Sequence, residues 1–198
     1  MSPCKRPLSR LALPVLLLAA ALPWALARGS VAGAPPSQEG SLPDGLFYPR
    51  TIVVVRHAEK GVDDPADPSL SEKGVQRALD LARVLGSAGV THLFASEYQR
   101  TRQTLLPLTQ KAGVDVQVVP ARDPKALLSA LANLPRHAVA VVAGHSNTVP
   151  GLVAALAPSA PLAKDPERLK LGEDDYDRLY VITQWEPKKG ASVLELRY

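Results

Sequence analysis

The feature that most constrains this chain is an unbroken apolar run that stops at two anion-binding side chains: residues 51–60 read TIVVVRHAEK. Residues 52–55 are apolar without alternation, which suits a strand covered on both faces, as in the parallel sheet of an α/β domain. Arg56 and His57 then fall at the strand's carboxyl end. Ligands of open α/β sheets bind in the crevice outside those ends.

Two further stretches repeat the design. Residues 137–146, HAVAVVAGHS, form a second apolar run ending in Gly144 and His145, followed by Ser146, Asn147 and the apolar helical pattern Val149–Leu156. Between the two lies HLFASEYQRTRQT (92–104): a short strand, Ser96 as an expected helix N-cap, and Arg100 and Arg102 in the first helical turns. Cations oppose the dipole at a helix N-terminus, so an arginine there is better explained by a bound anion than by helix stability. If all three units share one sheet, Arg56, His57, Arg100 and His145 meet at one crevice. Fixed cationic donors there suit a phosphate dianion, because arginine forks match its oxygens in two-bond geometry. Neutral imidazole is a competent nucleophile, and neighbouring positive charge keeps it unprotonated, which singles out His57.

The ordered set Arg56-His57, Ser96-x-x-x-Arg100-Thr101-x-x-Thr104 and Gly144-His145-Ser146 resembles the histidine phosphatase superfamily, also called phosphoglycerate mutase-like, over about residues 51–156. The usual Arg-His-Gly is Arg-His-Ala here, as in short exported members that read Arg-His-Ala-Glu-Lys. The segment 70–74, LSEKG, is similar to the family's Leu-Thr-x-x-Gly. The resemblance implies a phosphohistidine on His57, with Arg56, Arg100 and His145 holding the transferring oxygens. In larger members an acidic residue lies between the arginine and the second histidine; here that interval offers Asp115 and Asp123. Asp123, just after a strand, is the preferred proton donor, with Glu59 and Glu97 as rivals. Glu59, Lys60, Ser96, Glu97, Ser146 and Asn147 flank these positions and are expected to contact substrate. His92 and His137 begin their strands and are assigned no catalytic role.

Residues 1–27 carry Lys5, Arg6 and Arg10, an apolar run from Leu11 to Leu26, and Ala25-Leu26-Ala27, which together read as a secretory signal peptide. An uncleaved anchor is the competing reading, but Pro14 and Pro23 interrupt a run already short of the ~20 apolar residues that span a bilayer. Cleavage would remove Cys4, the chain's one cysteine. The full chain has 23 Lys plus Arg against 19 Asp plus Glu. Without Lys5, Arg6 and Arg10 the balance is 20 to 19, so the pI of about 9.3 offers no support for nucleic-acid binding. Residues 28–49, rich in Gly, Pro and Ser, read as a flexible arm, and 50–198 as one domain.

Within that domain the loop GVDDPADPSL (61–70) reads as solvated rather than as a metal site, because Asp63, Asp64 and Asp67 lack supporting histidines. Ser71 should cap a helix with Val75, Ala78, Leu79, Ala82 and Leu85 on its inner face. Further expectations are a strand at 114–119, a helix at 124–134, a connection at 158–177, and closing antiparallel strands at 178–184 and 191–197 around a turn at 187–190. Strands alternating with helices predict a three-layer α/β/α sandwich with a mostly parallel sheet. The expected activity is a metal-independent phosphomonoesterase, exported to the periplasm or beyond, acting on a small phosphomonoester or phosphorylated sugar. It needs no cofactor or metal, binds no nucleic acid and has no lasting membrane insertion. The alternatives are a mutase, disfavoured because the 45 residues from Arg100 to His145 leave little room for an enclosing insertion, and a phosphate- or phosphoglycan-binding module without turnover.

Overall fold

A computed structural model describes residues 48–186 and 190–198. The signal-peptide reading, most of the arm and most of the 187–190 turn lie outside the described residues. In chain order the elements are β1 (Arg50–Arg56), α1 (Glu72–Leu85), β2 (His92–Ala95), α2 (Gln99–Ala112), β3 (Val116–Val118), α3 (Pro124–Ala132), β4 (Val139–Gly144), α4 (Val149–Leu156), a 3-10 turn (Leu162–Lys164), α5 (Pro166–Leu169), β5 (Arg178–Glu186) and β6 (Gly190–Arg197). Six strands form one sheet in the order β3-β2-β4-β1-β5-β6. The first four run parallel, β5 pairs antiparallel with β1, and β6 pairs antiparallel with β5.

The unalternating runs sit where apolar side chains are needed on both faces. Ile52 and Val54 pack on one side of β1 with Phe94, Val142 and α4. Val53 and Val55 face the other side with Leu81, Leu105 and Leu108 of α1 and α2. β1 and β4 are the central pair and are almost completely buried, which gives the three-layer α/β/α arrangement the sequence predicts.

Helix α1 begins as expected, with the Ser71 hydroxyl accepting from the Gly74 N–H at 3.1 Å. Its inner face is rotated from the expected one: Gly74, Ala78, Leu81, Ala82 and Leu85 are buried, whereas Val75 and Leu79 are about half exposed. The cause is Gly74. A side chain there would drive its Cβ into the Glu59 carbonyl oxygen, so only glycine lets α1 lie against the segment after β1. The connection at 158–177 is more structured than its composition suggests, holding the 3-10 turn and α5, and its last residues reach the sheet's carboxyl edge.

Candidate active site

Strand pairing builds the site. β1 and β4 are neighbours in register, with Arg56 opposite Gly144, and the His57 N–H donates to the Gly144 carbonyl at 2.8 Å. The residues that follow these strand ends, His57 and His145, therefore emerge side by side, their ring centroids 5.3 Å apart. On the other flank of β4, Ala95 of β2 pairs with Ala143, which sets Ser96 next to His145. Helix α2 is tied to the first strand end through Thr104, whose hydroxyl accepts from the Ala58 N–H at 2.9 Å and donates to the Arg100 carbonyl at 2.7 Å. These contacts bring Arg56, His57, Arg100 and His145 to one crevice of about 650 Å³, also lined by Lys60, Glu97, Tyr98, Ser146, Asn147 and Glu173.

The hydrogen bonding of His57 fixes its chemistry. Nδ1 lies 2.7 Å from the Ala58 carbonyl, which can only accept, so Nδ1 carries the proton and the lone pair is on Nε2. Burial holds the imidazole pKa down at about 4; the Ala58 carbonyl opposes this, and the charges of His145, Arg100 and Arg56 add to it. His145 is likewise held down at about 4, by burial first and then by Arg100. A neutral imidazole with a free Nε2 inside a cationic ring is a competent nucleophile.

Both imidazoles thus stay neutral in the fold at pH values where an unfolded chain, with histidine near 6.5, would protonate them. Stability is therefore unaffected above pH 6.5 and falls as pH drops from 6.5 towards 4. For His57 the loss is expected to reach roughly 2–3 kcal/mol by pH 4.5. Urea unfolding should show wild type losing that much more than His57→Gln over this interval; equal losses would contradict a neutral buried imidazole.

His145 is oriented by hydroxyls. Its Nε2 lies 2.9 Å from the Ser96 hydroxyl, which lies 2.8 Å from that of Thr101, and Thr101 is 2.8 Å from the Tyr98 carbonyl. Ser96 is therefore not the helix cap the sequence suggests. The N-cap of α2 is Tyr98, without a side-chain cap bond, because the Ser96 hydroxyl is engaged by His145.

Arg56 is buried and half committed. Its NH1 donates to the carbonyls of Gly172 and Glu173 at 2.7 and 2.9 Å, and its guanidinium carbon lies 3.9 Å above the Tyr176 ring. Its Nε is buried without a partner, an unsatisfied donor that an anion bound by this arginine would satisfy. Arg100 stands over the Tyr98 ring at 4.4 Å and has only a loose ion pair, 3.5 Å to Asp67. Asp67, from the loop read as solvated, also accepts from the Gln99 N–H at 2.9 Å and so holds the start of α2.

The carboxylates divide differently from the expectation. Asp123 is the N-cap of α3, accepting from the Ala126 N–H at 2.9 Å, and it lines a neighbouring apolar cavity rather than the cationic crevice. The structure does not put it in place to protonate a leaving group there. Glu59 turns away to α1, where a two-bond fork with Arg77 (both 2.8 Å) and a 3.3 Å contact with Lys73 keep it ionised despite its burial. Arg77 in turn donates to the Tyr198 carbonyl at 2.9 Å. Glu59 therefore fastens the strand end to α1 and the chain's last residue. Glu59→Ala, leaving Arg77 only its Tyr198 contacts, is expected to cost about 2 kcal/mol in urea unfolding while kcat changes only a few-fold. The reverse pattern would make it a catalytic acid.

Glu97 does line the crevice; its carboxylate accepts from the Ala121 N–H at 2.8 Å, which lowers its pKa. Lys60, Ser146 and Asn147 line the crevice as expected. His92 and His137 lie at or before the amino ends of β2 and β4, away from it. Tyr98, Tyr176 and the Gly172–Glu173 carbonyls were not foreseeable by motif. Tyr98 is the α2 N-cap under Arg100, while Tyr176 and the two carbonyls act through packing from a connection without periodicity, for which the one available sign was the need for something to hold a buried Arg56.

Fold and site together define an α/β scaffold with an arginine- and histidine-lined crevice at the carboxyl ends of its central strands. Residues 52–123 match the sequence model of the histidine phosphatase superfamily (branch 1). The fold of the domain is that of the phosphoglycerate mutase-like histidine phosphatases. A curated relative, the probable phosphoglycerate mutase GpmB of Escherichia fergusonii, is 32% identical over 75 residues, 35% of each chain. The match thus spans about a third of that relative's length. Among solved structures, the protein histidine phosphatase SixA complexed with tungstate matches with a TM-score of 0.57 at 18% identity, over 74% of this chain and 96% of that one. The mycobacterial glucosyl-3-phosphoglycerate phosphatase in complex with VO3 matches with a TM-score of 0.56 at 18% identity, over 75% and 98%.

Proposed function

We propose that the chain is a metal-independent phosphomonoesterase that works through a phosphohistidine on His57 and acts, after export, on a small phosphorylated molecule or sugar. The observation that carries this reading is the fixed tautomer of His57, with its lone pair on Nε2 inside a ring of Arg56, Arg100 and His145. In the first step Nε2 attacks phosphorus, the N–P bond forms and the P–O ester bond breaks, its electron pair leaving on the alcohol oxygen, which takes a proton from water at the open crevice and departs as the free alcohol. Arg100, the free edge of Arg56 and His145, which takes up a proton on Nδ1 beside the dianion while Nε2 stays bonded to Ser96, hold the non-bridging oxygens, where positioned donors count most in the transition state. In the second step water attacks the phosphohistidine, releasing inorganic phosphate and restoring Nε2. Glu97, ionised and on the crevice wall, suits removing the proton from that water.

Hydrolysis is favoured over mutase chemistry because the residues between Arg100 and His145 are spent on α2, β3, α3 and β4, and Lys60 and Glu97 stand exposed at the crevice. A mutase must keep water from its phosphohistidine. The export part of the reading rests on the character of residues 1–27 alone. Two structural neighbours are described with tungstate and VO3, oxyanions that share phosphate's charge and hydrogen-bonding chemistry.

The test is a chromogenic aryl phosphate, whose good leaving group needs little proton donation. Phosphate release that is unchanged by EDTA is the expected result, since a donor set of arginines and histidines performs the electrostatic work a metal would otherwise do. No release, or activity abolished by EDTA and restored by a divalent ion, would overturn the proposal.

A further inference from the structure

Beside the cationic crevice lies a second cavity, of about 340 Å³, between α3, α4 and the carboxyl halves of β2 and β4. Its walls are apolar, built mainly by Phe94, Val119, Leu127, Leu128, Val142 and Leu152. It shares Ala121, His145, Asn147 and Thr148 with the crevice, so the two meet along the loop that carries the second histidine.

Most of the polar side chains on its wall are already committed. The Ser96 hydroxyl is bonded to His145 and Thr101, Asp123 to the Ala126 N–H, and the Thr148 hydroxyl to the His145 N–H at 2.9 Å. Water in the cavity would find few of the two to four partners it needs, whereas an apolar group needs none. The space exceeds twice the ~150 Å³ in which an apolar cavity holds a benzene ring. The sequence keeps it open: a Cβ on Gly151, which lines the cavity from α4, would meet nothing within 4 Å. Leu127 and Leu128 are only partly buried, as side chains facing unfilled space should be.

We infer that this cavity receives the alcohol portion of the substrate, so that the chain takes phosphomonoesters whose alcohol carries an apolar group, aryl or alkyl of medium length. This rests on the phosphomonoester reading. A phosphoryl group held by Arg56, Arg100 and the two histidines extends past His145 into the cavity, and burying the apolar group supplies affinity that a purely polar alcohol lacks. Asn147, exposed at the shared rim, is the residue such a substrate passes.

Non-hydrolysable phosphonates test the inference without turnover. By calorimetry, octylphosphonate should bind wild type at least ~30-fold more tightly than ethylphosphonate, the gain expected from burying several further methylenes. Gly151→Leu, which fills the cavity from a helical position, should remove that gap and leave the ethylphosphonate affinity unchanged. In wild type, methyl NMR should show octylphosphonate, and not ethylphosphonate, shifting Leu127, Leu128 and Leu152. Equal affinities, a gap that survives Gly151→Leu, or unmoved methyl signals would overturn the cavity's assignment while leaving the phosphatase reading intact. Failure of both phosphonates to bind would remove the phosphomonoester reading and this inference together.

Discussion

His57→Ala should abolish turnover, with a loss in kcat on the order of 10⁴-fold or more, while phosphate still binds. The variant removes a nucleophile whose lone pair is set by a fixed tautomer: the Ala58 carbonyl engages Nδ1 and leaves Nε2 open. Arg56 stays clamped by the Gly172 and Glu173 carbonyls, and Arg100 stays on Tyr98, so the anion-binding donors survive the substitution. Steady-state assay with an aryl phosphate, together with calorimetry of phosphate binding, separates the two effects. Turnover near wild type would mean that water attacks phosphorus directly.

Arg100→Ala should lower kcat by roughly 10²–10³-fold, the scale of a lost transition-state donor. Arg102→Ala should stay within about two-fold, as surface substitutions generally do. The two residues share a helix but not a face. Arg100 lines the crevice, whereas Arg102 is exposed beside Gln99, Gln103 and Leu106 on the outer side of α2. Arg100 is the more informative arginine, because Arg56 also secures the 172–176 segment, so its removal would mix catalysis with folding. Comparable losses in the two Arg variants would mean that the oxygens are held by a different group.

Most of the frame was legible because buried parallel strands announce themselves: the runs at 52–55 and 139–143 need cover on both faces, and they became the central pair. Polar residues directly after such strands have little freedom, which is why Arg56, His57 and His145 fell where their positions required. What was not legible depended on side-chain direction. Glu59 sits two residues after His57 yet turns to Arg77, and Ser96 looks like a helix cap yet is drawn to His145. Asp123 follows a strand as a catalytic acid would, but the strand is β3, at the sheet's edge, and the residue starts a helix instead. The inner face of α1 was misplaced because its orientation is set by contact between Gly74 and the Glu59 backbone, which hydrophobic periodicity does not encode. The apolar cavity was invisible for a similar reason: its walls come from four elements, each of which reads separately as ordinary core.

The central claim is a covalent phosphoryl group on His57, and acid–base quenching of the enzyme during turnover of a radiolabelled phosphomonoester tests it most directly. Label should remain on the protein in base, be lost in mild acid as a phosphoramidate is, map to His57, and be absent from His57→Ala. Label on His145, or rapid turnover with no label at any quench time and full activity in His57→Ala, would contradict the account.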